Sequence, residues 1–428
     1  MSGLTFTKDA TGLVRIQDEN GDVPDNVEPA SILELTPPPT PTRDGKLGTA
    51  NIIPMEILCL ILEFVNPKRQ DVFAATSKVS RLWYHASAPF LYRCPKITGN
   101  NYLKFAAIIS PSSTLIKPSS LGSLVKRLDL SALVYQGRPS LNARLLRRVQ
   151  ANLEEFVAPQ TTFGYNCIVA LGHLQKLRLL DLSLISQSVN LDDLFQHIGD
   201  LPNLRTLNFP RSSVLAQPQT RFLWPKRLES FSLSGAILDY FLHETQLPET
   251  LHELHISHCP FTRSGSVIRL AAALSLQLTS LSITYPMPCL AFNALDNILN
   301  MCPHLTYLLI AVDYISNHFF DFGLGHPLKR LDLDSSGNPG VEHKVSPNDV
   351  FIAVAEDRLP DLRIVRVSRL LKWVVREKGD VDDLVDMLEA KAREATAAPA
   401  AGDDVDDDDD IASADVGVWE FGDARGNG

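Results

Sequence analysis

The sequence predicts an α/β protein in which a small three-helix bundle precedes an irregular solenoid of repeated strand–helix units. Three observations support this prediction: helical apolar spacing that begins at Pro54, a six-residue apolar frame that recurs between residues 125 and 367, and polar segments at both ends. The predicted parts are a disordered proline-rich leader over 1–48, the bundle over 51–95, the solenoid over 120–375, a helical cap over 380–397 and an acidic disordered tail over 398–428.

The bundle begins in the most apolar stretch of the chain, NIIPMEILCLILEFV, which covers 51–65. Proline suits the first position of a helix because the amide it lacks would have no partner there, so Pro54 is the predicted start. Two more short helices are expected after Asp71 and Ser80, which are good N-caps. One stripe of the first helix is predicted to carry Ile57, Leu58, Ile61, Leu62 and Val65, with Leu60 and Phe64 on the other side.

A bundle of about forty residues cannot bury both sides of such a helix, so we expect a second polypeptide to cover it. The alternative is that the downstream solenoid covers the helix. These two expectations differ in whether the helix keeps an exposed apolar surface in the folded chain.

The segment IIPMEILCLILEFVNPKRQDVFAATSKVSRLWYHASAPFLYR resembles an F-box. Pro54 and Glu56 match the family's Leu-Pro-x-Glu opening, although Ile53 replaces the leucine. The other matching positions are Ile57, Ile61, Phe64, Asp71, Val72, Val79, Ser80, Arg81 and Trp83. The resemblance implies docking onto the adaptor subunit of Skp–cullin–F-box ubiquitin ligases, and the adaptor-binding residues predicted on this basis are Ile53, Pro54, Ile57, Leu58, Ile61, Val79 and Trp83.

The solenoid prediction rests on ten copies of the frame L-x-x-L-x-L, in which L is leucine or another apolar residue. The copies begin at Val125, Leu153, Leu177, Leu204, Leu228, Leu251, Leu278, Leu305, Leu328 and Leu362. They resemble leucine-rich repeats, which implies a strand and a return helix in each unit. The family's Asn or Cys after the frame occurs only as Cys259, so an irregular and locally broken array is expected.

Side chains between the apolar positions of a frame are predicted to point outward, because successive residues of a strand face opposite sides of a sheet. The resulting surface mixes polar residues with an occasional aromatic, which suits protein recognition. The predicted target-binding residues are Asp129, Asp181, Asn208, His255, Tyr307, Arg330, Asp332 and Arg366.

Charge and cysteine usage exclude several classes of function. The formal net charge is −10, but residues 401–428 hold nine Asp and one Glu against one Arg, so the rest of the chain is nearly neutral. Without a global basic field, nucleic acid is not an expected partner. The longest apolar stretch is interrupted by Glu56 and Glu63, so no membrane span is predicted. The six cysteines form no CxxC pair, which favours a cytoplasmic or nuclear location.

Catalytic and metal-binding motifs are not predicted. The segment LHELHISHC contains His252, His255, His258 and Cys259, but a strand would place His252 and His255 on opposite faces. The triplet DFG at 321–323 lacks the other kinase motifs. No cofactor is therefore expected. The terminal GVWEFG is interpreted as either a short docking peptide or part of the tail.

The resemblances together imply a non-enzymatic substrate receptor that binds the ligase adaptor through its F-box and a target protein through its repeats. Two alternatives remain open. One is a scaffold that binds the adaptor without serving a ligase. The other is a GTPase-activating regulator, since a family of such regulators also combines leucine-rich repeats with an acidic tail.

Overall fold

A computed structural model describes residues 5–8, 14–17, 53–111, 119–134, 137–214, 222–397 and 416–422. The chain forms two compact units, Met1–Ile53 and Pro54–Gly428. In the first unit, strand β1 (Thr5–Lys8) pairs antiparallel with β2 (Val14–Gln17). The leader predicted as disordered therefore contains two strands, whose Thr, Val, Ile and Phe residues favour extended structure. Its proline-rich segment, residues 36–42, lies outside the described residues.

The second unit begins with three short helices, α1 (Met55–Glu63), α2 (Gln70–Thr76) and α3 (Arg81–Arg93). Ser80 caps α3 by accepting a hydrogen bond from the Trp83 amide at 3.3 Å, as its position before the helix predicts. The bundle has a small core of its own, formed by Leu58, Leu62, Phe73 and Ala86.

Each of the ten apolar frames forms one strand of a parallel sheet, and an eleventh strand is added from the C-terminal tail. The sheet follows chain order, with neighbouring strands in matching register. In a separate two-stranded parallel sheet, Val189–Asn190 pairs with Ser213–Val214. The strands are β3 (Arg127–Asp129), β4 (Glu155–Val157), β5 (Leu179–Asp181), β6 (Val189–Asn190), β7 (Thr206–Asn208), β8 (Ser213–Val214), β9 (Ser230–Leu233), β10 (Glu253–Ile256), β11 (Ser280–Ile283), β12 (Tyr307–Ala311), β13 (Arg330–Asp334), β14 (Ile364–Ser368) and β15 (Gly417–Phe421).

The helices that follow the bundle share one hydrophobic core with the strands; the first of them precedes β3, and the others lie between strands. They are α4 (Tyr102–Ile109), α5 (Pro139–Val149), α6 (Tyr165–Leu171), α7 (Leu191–Ile198), α8 (Asp239–Glu244), α9 (Ser264–Ala273), α10 (Ile298–Met301), α11 (Pro347–Ala355), α12 (Trp373–Arg376) and α13 (Lys378–Ala397). The expected irregularity lies near α10, which has four residues and follows a segment containing Pro286 and Pro288. After β12, two short 3₁₀ turns replace the return helix.

The sheet has one core-facing row of side chains and one face on which none of the described helices packs, which we call the open face. In the core-facing row, one fully buried apolar residue from each frame packs beside the next: Leu128, Phe156, Leu180, Leu207, Phe231, Leu254, Leu281, Leu308, Leu331 and Val365. The residues on either side of this row form the open face, as the alternation along each strand predicts.

The C-terminal segment differs from the prediction of a wholly disordered tail. Residues Gly417–Phe421 form β15, which pairs in parallel with β14 along five residues. Two properties allow this pairing. Successive side chains of the segment face opposite sides of the sheet, and its backbone pairs with the edge of β14 that would otherwise be exposed. The acidic run, residues 403–410, lies outside the described residues.

Candidate functional site

Helix α1 divides into an inward and an outward side. The carbonyl of Pro54 accepts hydrogen bonds from the amides of Ile57 at 3.1 Å and Leu58 at 3.2 Å. Pro54 is thus the N-cap, and α1 begins at Met55, one residue after the predicted start. Leu58 and Leu62, one turn apart, are each 1% exposed in the bundle core. The inward side of α1 is therefore buried against α2 and α3.

The outward side of α1 carries a continuous apolar surface, which we call the docking ridge and define as Ile57, Leu60, Ile61 and Phe64. Ile57, Leu60 and Ile61 are 45%, 51% and 44% exposed, and Phe64 is 90% exposed. Their spacing of three, four and seven residues places them on one face of the helix. The described part of the solenoid does not cover this face.

Most of the adaptor-binding residues predicted from sequence lie at the surface. Ile53 is 39% exposed and Val79 is 65% exposed, and Pro54 is also exposed. Leu58 was expected to contact the adaptor, but its side chain is enclosed by the bundle. Trp83 is half-buried and packs against the same core.

Sequence reasoning placed Leu60 and Phe64 on the far side of the helix and did not count them as adaptor contacts. They belong to the docking ridge because the apolar stripe is split, with Ile57 and Ile61 facing outward and Leu58 and Leu62 facing inward. The sequence did carry a signal for this arrangement, because α1 has more apolar residues than one buried side of a helix can hold. Apolar residues on both sides of one helix require two different partners.

The bundle is joined to the solenoid by direct contacts at the end of α3. The Tyr92 ring stacks on Phe105 of α4 with 6.4 Å between ring centres, and the carbonyl of Arg93 accepts a hydrogen bond from the Lys126 amide at 2.9 Å. The hydroxyl of Tyr102 donates to Asn142 Oδ1 at 2.5 Å inside the protein, and burial raises the pKa of Tyr102 to about 12. The docking ridge and the open face are thus parts of one packed body.

The eight residues predicted to bind a target all lie on the open face, but the sheet does not bring them into one group. In the first repeats, Asp129 pairs with Arg127 at 3.2 Å and Asp181 accepts from the Ser183 amide at 2.9 Å. Asn208 lies on β7. His255 is hydrogen-bonded to Ser282 at 2.6 Å, and burial lowers the pKa of His255 to about 4, so its ring is neutral near pH 7.

The other four residues meet at the C-terminal end of the open face, in what we call the arginine–aromatic cluster: Tyr307, Arg330, Asp332, Arg366 and, from β15, Phe421. Arg330 donates two hydrogen bonds to Asp332, at 2.9 and 2.8 Å. The guanidinium of Arg330 lies 5.0 Å from the centre of the Tyr307 ring, and that of Arg366 lies 5.2 Å from the centre of the Phe421 ring.

Asp332 was expected to contact a target, but it is only 4% exposed. Its carboxylate also accepts a hydrogen bond from the Tyr307 hydroxyl at 3.2 Å and lies 3.8 Å from Arg366. Desolvation, followed by the charge of Asp332, raises the pKa of Tyr307 to about 12. Asp332 therefore holds the cluster together from within, and the surrounding arginine and aromatic side chains face solvent.

The described residues contain no group of three His, Cys, Asp or Glu side chains arranged to hold a metal ion. Cys259 is buried, and Asp321 of the DFG triplet pairs with His318 at 2.8 Å. Among the described helices, none is long and apolar enough to cross a bilayer.

The family of the chain follows from its sequence similarity to characterised proteins. No protein-family model matches it. F-box protein YDR306C of Saccharomyces cerevisiae is 36% identical over 369 residues, covering 81% of this chain and 76% of the relative. Protein pof5 of Schizosaccharomyces pombe is 31% identical over 320 residues, covering 74% of this chain and 89% of the relative. The chain belongs to the F-box protein family.

Solved structures that resemble this F-box protein differ from it considerably in overall geometry. A chain of the yeast Rad7 and Elc1 complex is 15% identical with a TM-score of 0.39, covering 80% of this chain and 91% of that one. The Leptospira interrogans leucine-rich-repeat protein LIC12759 is 17% identical with a TM-score of 0.33, covering 58% of this chain and 62% of that one. Within the chain itself, a three-helix bundle precedes a parallel sheet in which each repeated frame forms one strand, which is the architecture of an F-box protein with leucine-rich repeats.

Proposed function

We propose that this F-box protein is the non-catalytic target-recognition subunit of a Skp–cullin–F-box ubiquitin ligase. In this proposal, the docking ridge binds the adaptor subunit and the open face binds a target protein. The observation that carries the proposal is the docking ridge, since α1 exposes apolar side chains on one side while its other side is already buried. Exposed apolar surfaces of this kind are typical of protein interfaces.

The energetics are compatible with stable association. Burying an exposed Leu, Ile or Phe side chain contributes about 1.5–3 kcal/mol, so completing the burial of four half-exposed residues contributes roughly 3–6 kcal/mol before the entropic cost of association. Contacts from Ile53, Pro54 and Val79 would add to this figure. The ridge is therefore large enough to act as the centre of an interface with a polar rim.

The chemical step in this proposal takes place on another subunit, and the F-box protein acts by holding a target near it. Linking two binding surfaces in one body raises the effective concentration of the target at the catalytic subunit. The packed junction between α3 and the first repeat supports this role, because it fixes the direction of one surface relative to the other. We place the protein in the cytoplasm, the nucleus or both, where such ligases operate.

The adaptor interaction is tested with Ile61→Asp, measured by calorimetry between the full chain and the purified adaptor. A carboxylate at the centre of an apolar interface is left without a partner, so we expect affinity to fall at least about 100-fold. Ile352→Asp on α11 is the matched control, because Ile352 is 41% exposed and Ile61 is 44% exposed. Unchanged affinity in Ile61→Asp, or an equal loss in the control, would refute the docking ridge as the adaptor site.

A second experiment separates a target receptor from an adaptor-bound scaffold. Cells that carry Ile61→Asp are compared with cells that carry Ile352→Asp by measuring protein half-lives across the proteome. A receptor predicts at least one protein whose half-life lengthens only with Ile61→Asp. Identical half-lives in the two strains would favour the scaffold.

A further inference from the structure

Side chains on the open face change in character along the sheet. Strands β7, β9 and β11 present the small polar groups Thr206, Asn208, Ser230, Ser232, Ser280 and Ser282, and β10 among them presents Glu253 and His255. The last four strands instead present the arginine–aromatic cluster. Arginine and aromatic side chains dominate the binding energy of most protein interfaces, whereas serine is under-represented among such residues.

Strand β15 supplies Phe421 to this cluster and places Trp419 next to it. Its register places Trp419 directly beside Arg366 of β14 and Phe421 beside Ser368, so Trp419 and Phe421 both lie on the open face. Trp419 is 39% exposed, although it belongs to a strand whose backbone is fully paired on one side. An exposed tryptophan held next to an arginine offers a large apolar surface that needs little further ordering to bind.

Two arginines of the arginine–aromatic cluster face a single carboxylate, although the whole chain has a net charge of −10. Arg330 and Arg366 both pair with Asp332, so these three side chains carry one positive charge in excess. The carboxylate of Asp332 is shared between two guanidinium groups, and the geometry differs: Arg330 binds it through two hydrogen bonds, whereas Arg366 remains at 3.8 Å. The donors of Arg366 are therefore the less satisfied of the two and are 38% exposed at the side chain.

We propose that Arg366, Trp419 and Phe421 form the main target-binding site of the open face, and that their ligand is an extended protein segment carrying a carboxylate side chain beside an apolar one. The carboxylate binds Arg366, whose guanidinium is held in place by the Phe421 ring, and the apolar side chain packs on Trp419. This inference rests on the proposed function, since it specifies the kind of target that the open face accepts. It also gives β15 a function in binding, in addition to its place at the edge of the sheet.

The test uses the full chain in complex with the purified adaptor and measures fluorescence polarisation of short labelled peptides. Three peptide pools are compared, in which leucine and glycine are mixed with glutamate, with lysine or with phosphoserine. We expect the glutamate pool to bind at least tenfold more tightly than the lysine pool, and its affinity to fall as salt is raised.

Variants of the full chain locate the binding site. Arg366→Gln and Trp419→Ala are each expected to weaken binding of the glutamate pool at least about fivefold, the loss typical of an important interface residue. Phe421→Leu keeps an apolar side chain at its position and removes only the ring, so a smaller loss of about two- to fivefold is expected. Arg127→Gln, an arginine at the opposite end of the same face, is the matched control and should change binding less than twofold.

Three results would overturn the proposal: no binding by the glutamate pool, equal binding by the lysine pool, or unchanged affinity in Arg366→Gln and Trp419→Ala. Binding by the phosphoserine pool without binding by the glutamate pool would also overturn it, because it would assign a different ligand to the site. Adaptor binding is measured on the same samples. If it persists while the peptides fail to bind, this inference fails and the proposed function does not; if adaptor binding itself is absent, the proposed function fails.

Discussion

Helices α1 and α13 both flank the leucine-rich repeats, yet they expose different chemistry to solvent. In α13, Leu384 and Leu388 are fully buried in the core of the repeats, and the outward side carries charged residues such as Glu389 and Arg393. In α1, the inward side is buried in the same way, but the outward side carries the docking ridge.

The difference shows which of the two helices has all of its apolar surface buried within its own chain. A helix that caps a solenoid needs one apolar side toward the last repeat and one polar side toward water. Helix α13 meets this requirement. Helix α1 does not, which is the basis of the proposal that another protein covers its outward side.

The largest effect that tests this comparison is on stability. Leu384→Ala in α13 removes a fully buried side chain, so we expect the free energy of unfolding to fall by about 2–5 kcal/mol. Leu60→Ala in α1 removes a side chain that is 51% exposed, and we expect a loss below about 1 kcal/mol. Denaturant unfolding of the full chain, followed by circular dichroism, measures both. Equal losses would show that the docking ridge is packed within the chain.

A second comparison lies within α1 itself. Leu58→Ala opens a cavity between Leu62 and Phe73, so the F-box should lose about 2–4 kcal/mol of local stability. Amide hydrogen exchange in α1 to α3 measures this loss. Leu58→Met conserves the side-chain volume and should restore most of the protection. Unchanged exchange in Leu58→Ala would contradict the burial of Leu58 in the bundle core.

The junction between the two regions gives a smaller expected effect. Tyr102→Phe removes the hydroxyl that donates to Asn142 and leaves a buried amide oxygen with one partner fewer, which should cost about 1–2 kcal/mol. The Asn142 amide group also donates to Thr162 at 2.9 and 3.0 Å. A double-mutant cycle with Asn142→Ala should therefore show coupling between the two sites, and additive losses would contradict the hydrogen bond.

The smallest effect is expected at the surface of α13. Arg393 pairs with Glu389 at 2.6 Å, but the two side chains are 76% and 43% exposed. Arg393→Ala should change the free energy of unfolding by less than about 0.5 kcal/mol, because water and salt screen exposed pairs. Thermal unfolding at low and high salt checks this value, and a larger loss would mean that α13 depends on its charged side.

The sequence was sufficient to predict the ten strands of the repeats, because each frame repeats the same alternation and neighbouring frames support one another. It did not predict β15. The five residues from Gly417 to Phe421 contain no frame, occur once and follow an acidic run, so no local pattern distinguishes them from the tail. Their pairing depends on the free edge of β14, which is a property of the folded sheet.

The burial of two predicted site residues, Leu58 and Asp332, could not be predicted for a similar reason. The apolar spacing of α1 predicts a helix, but only the positions of Phe73 and Ala86 decide that Leu58 faces inward. Alternation along β13 correctly places Asp332 on the open face. Its burial comes from Tyr307 and Arg366 on the two neighbouring strands, which are distant in sequence.

The attachment of β15 has a consequence for the order in which the sheet assembles. Each earlier strand is followed closely by the turns and helices that fix it, whereas β15 reaches β14 after α12 and α13 have intervened. It can add only to a strand that is already in place, so it should be the last of the eleven to form and the first to fray. Its amide protons would then exchange with solvent through local opening at the edge, long before the repeats themselves unfold.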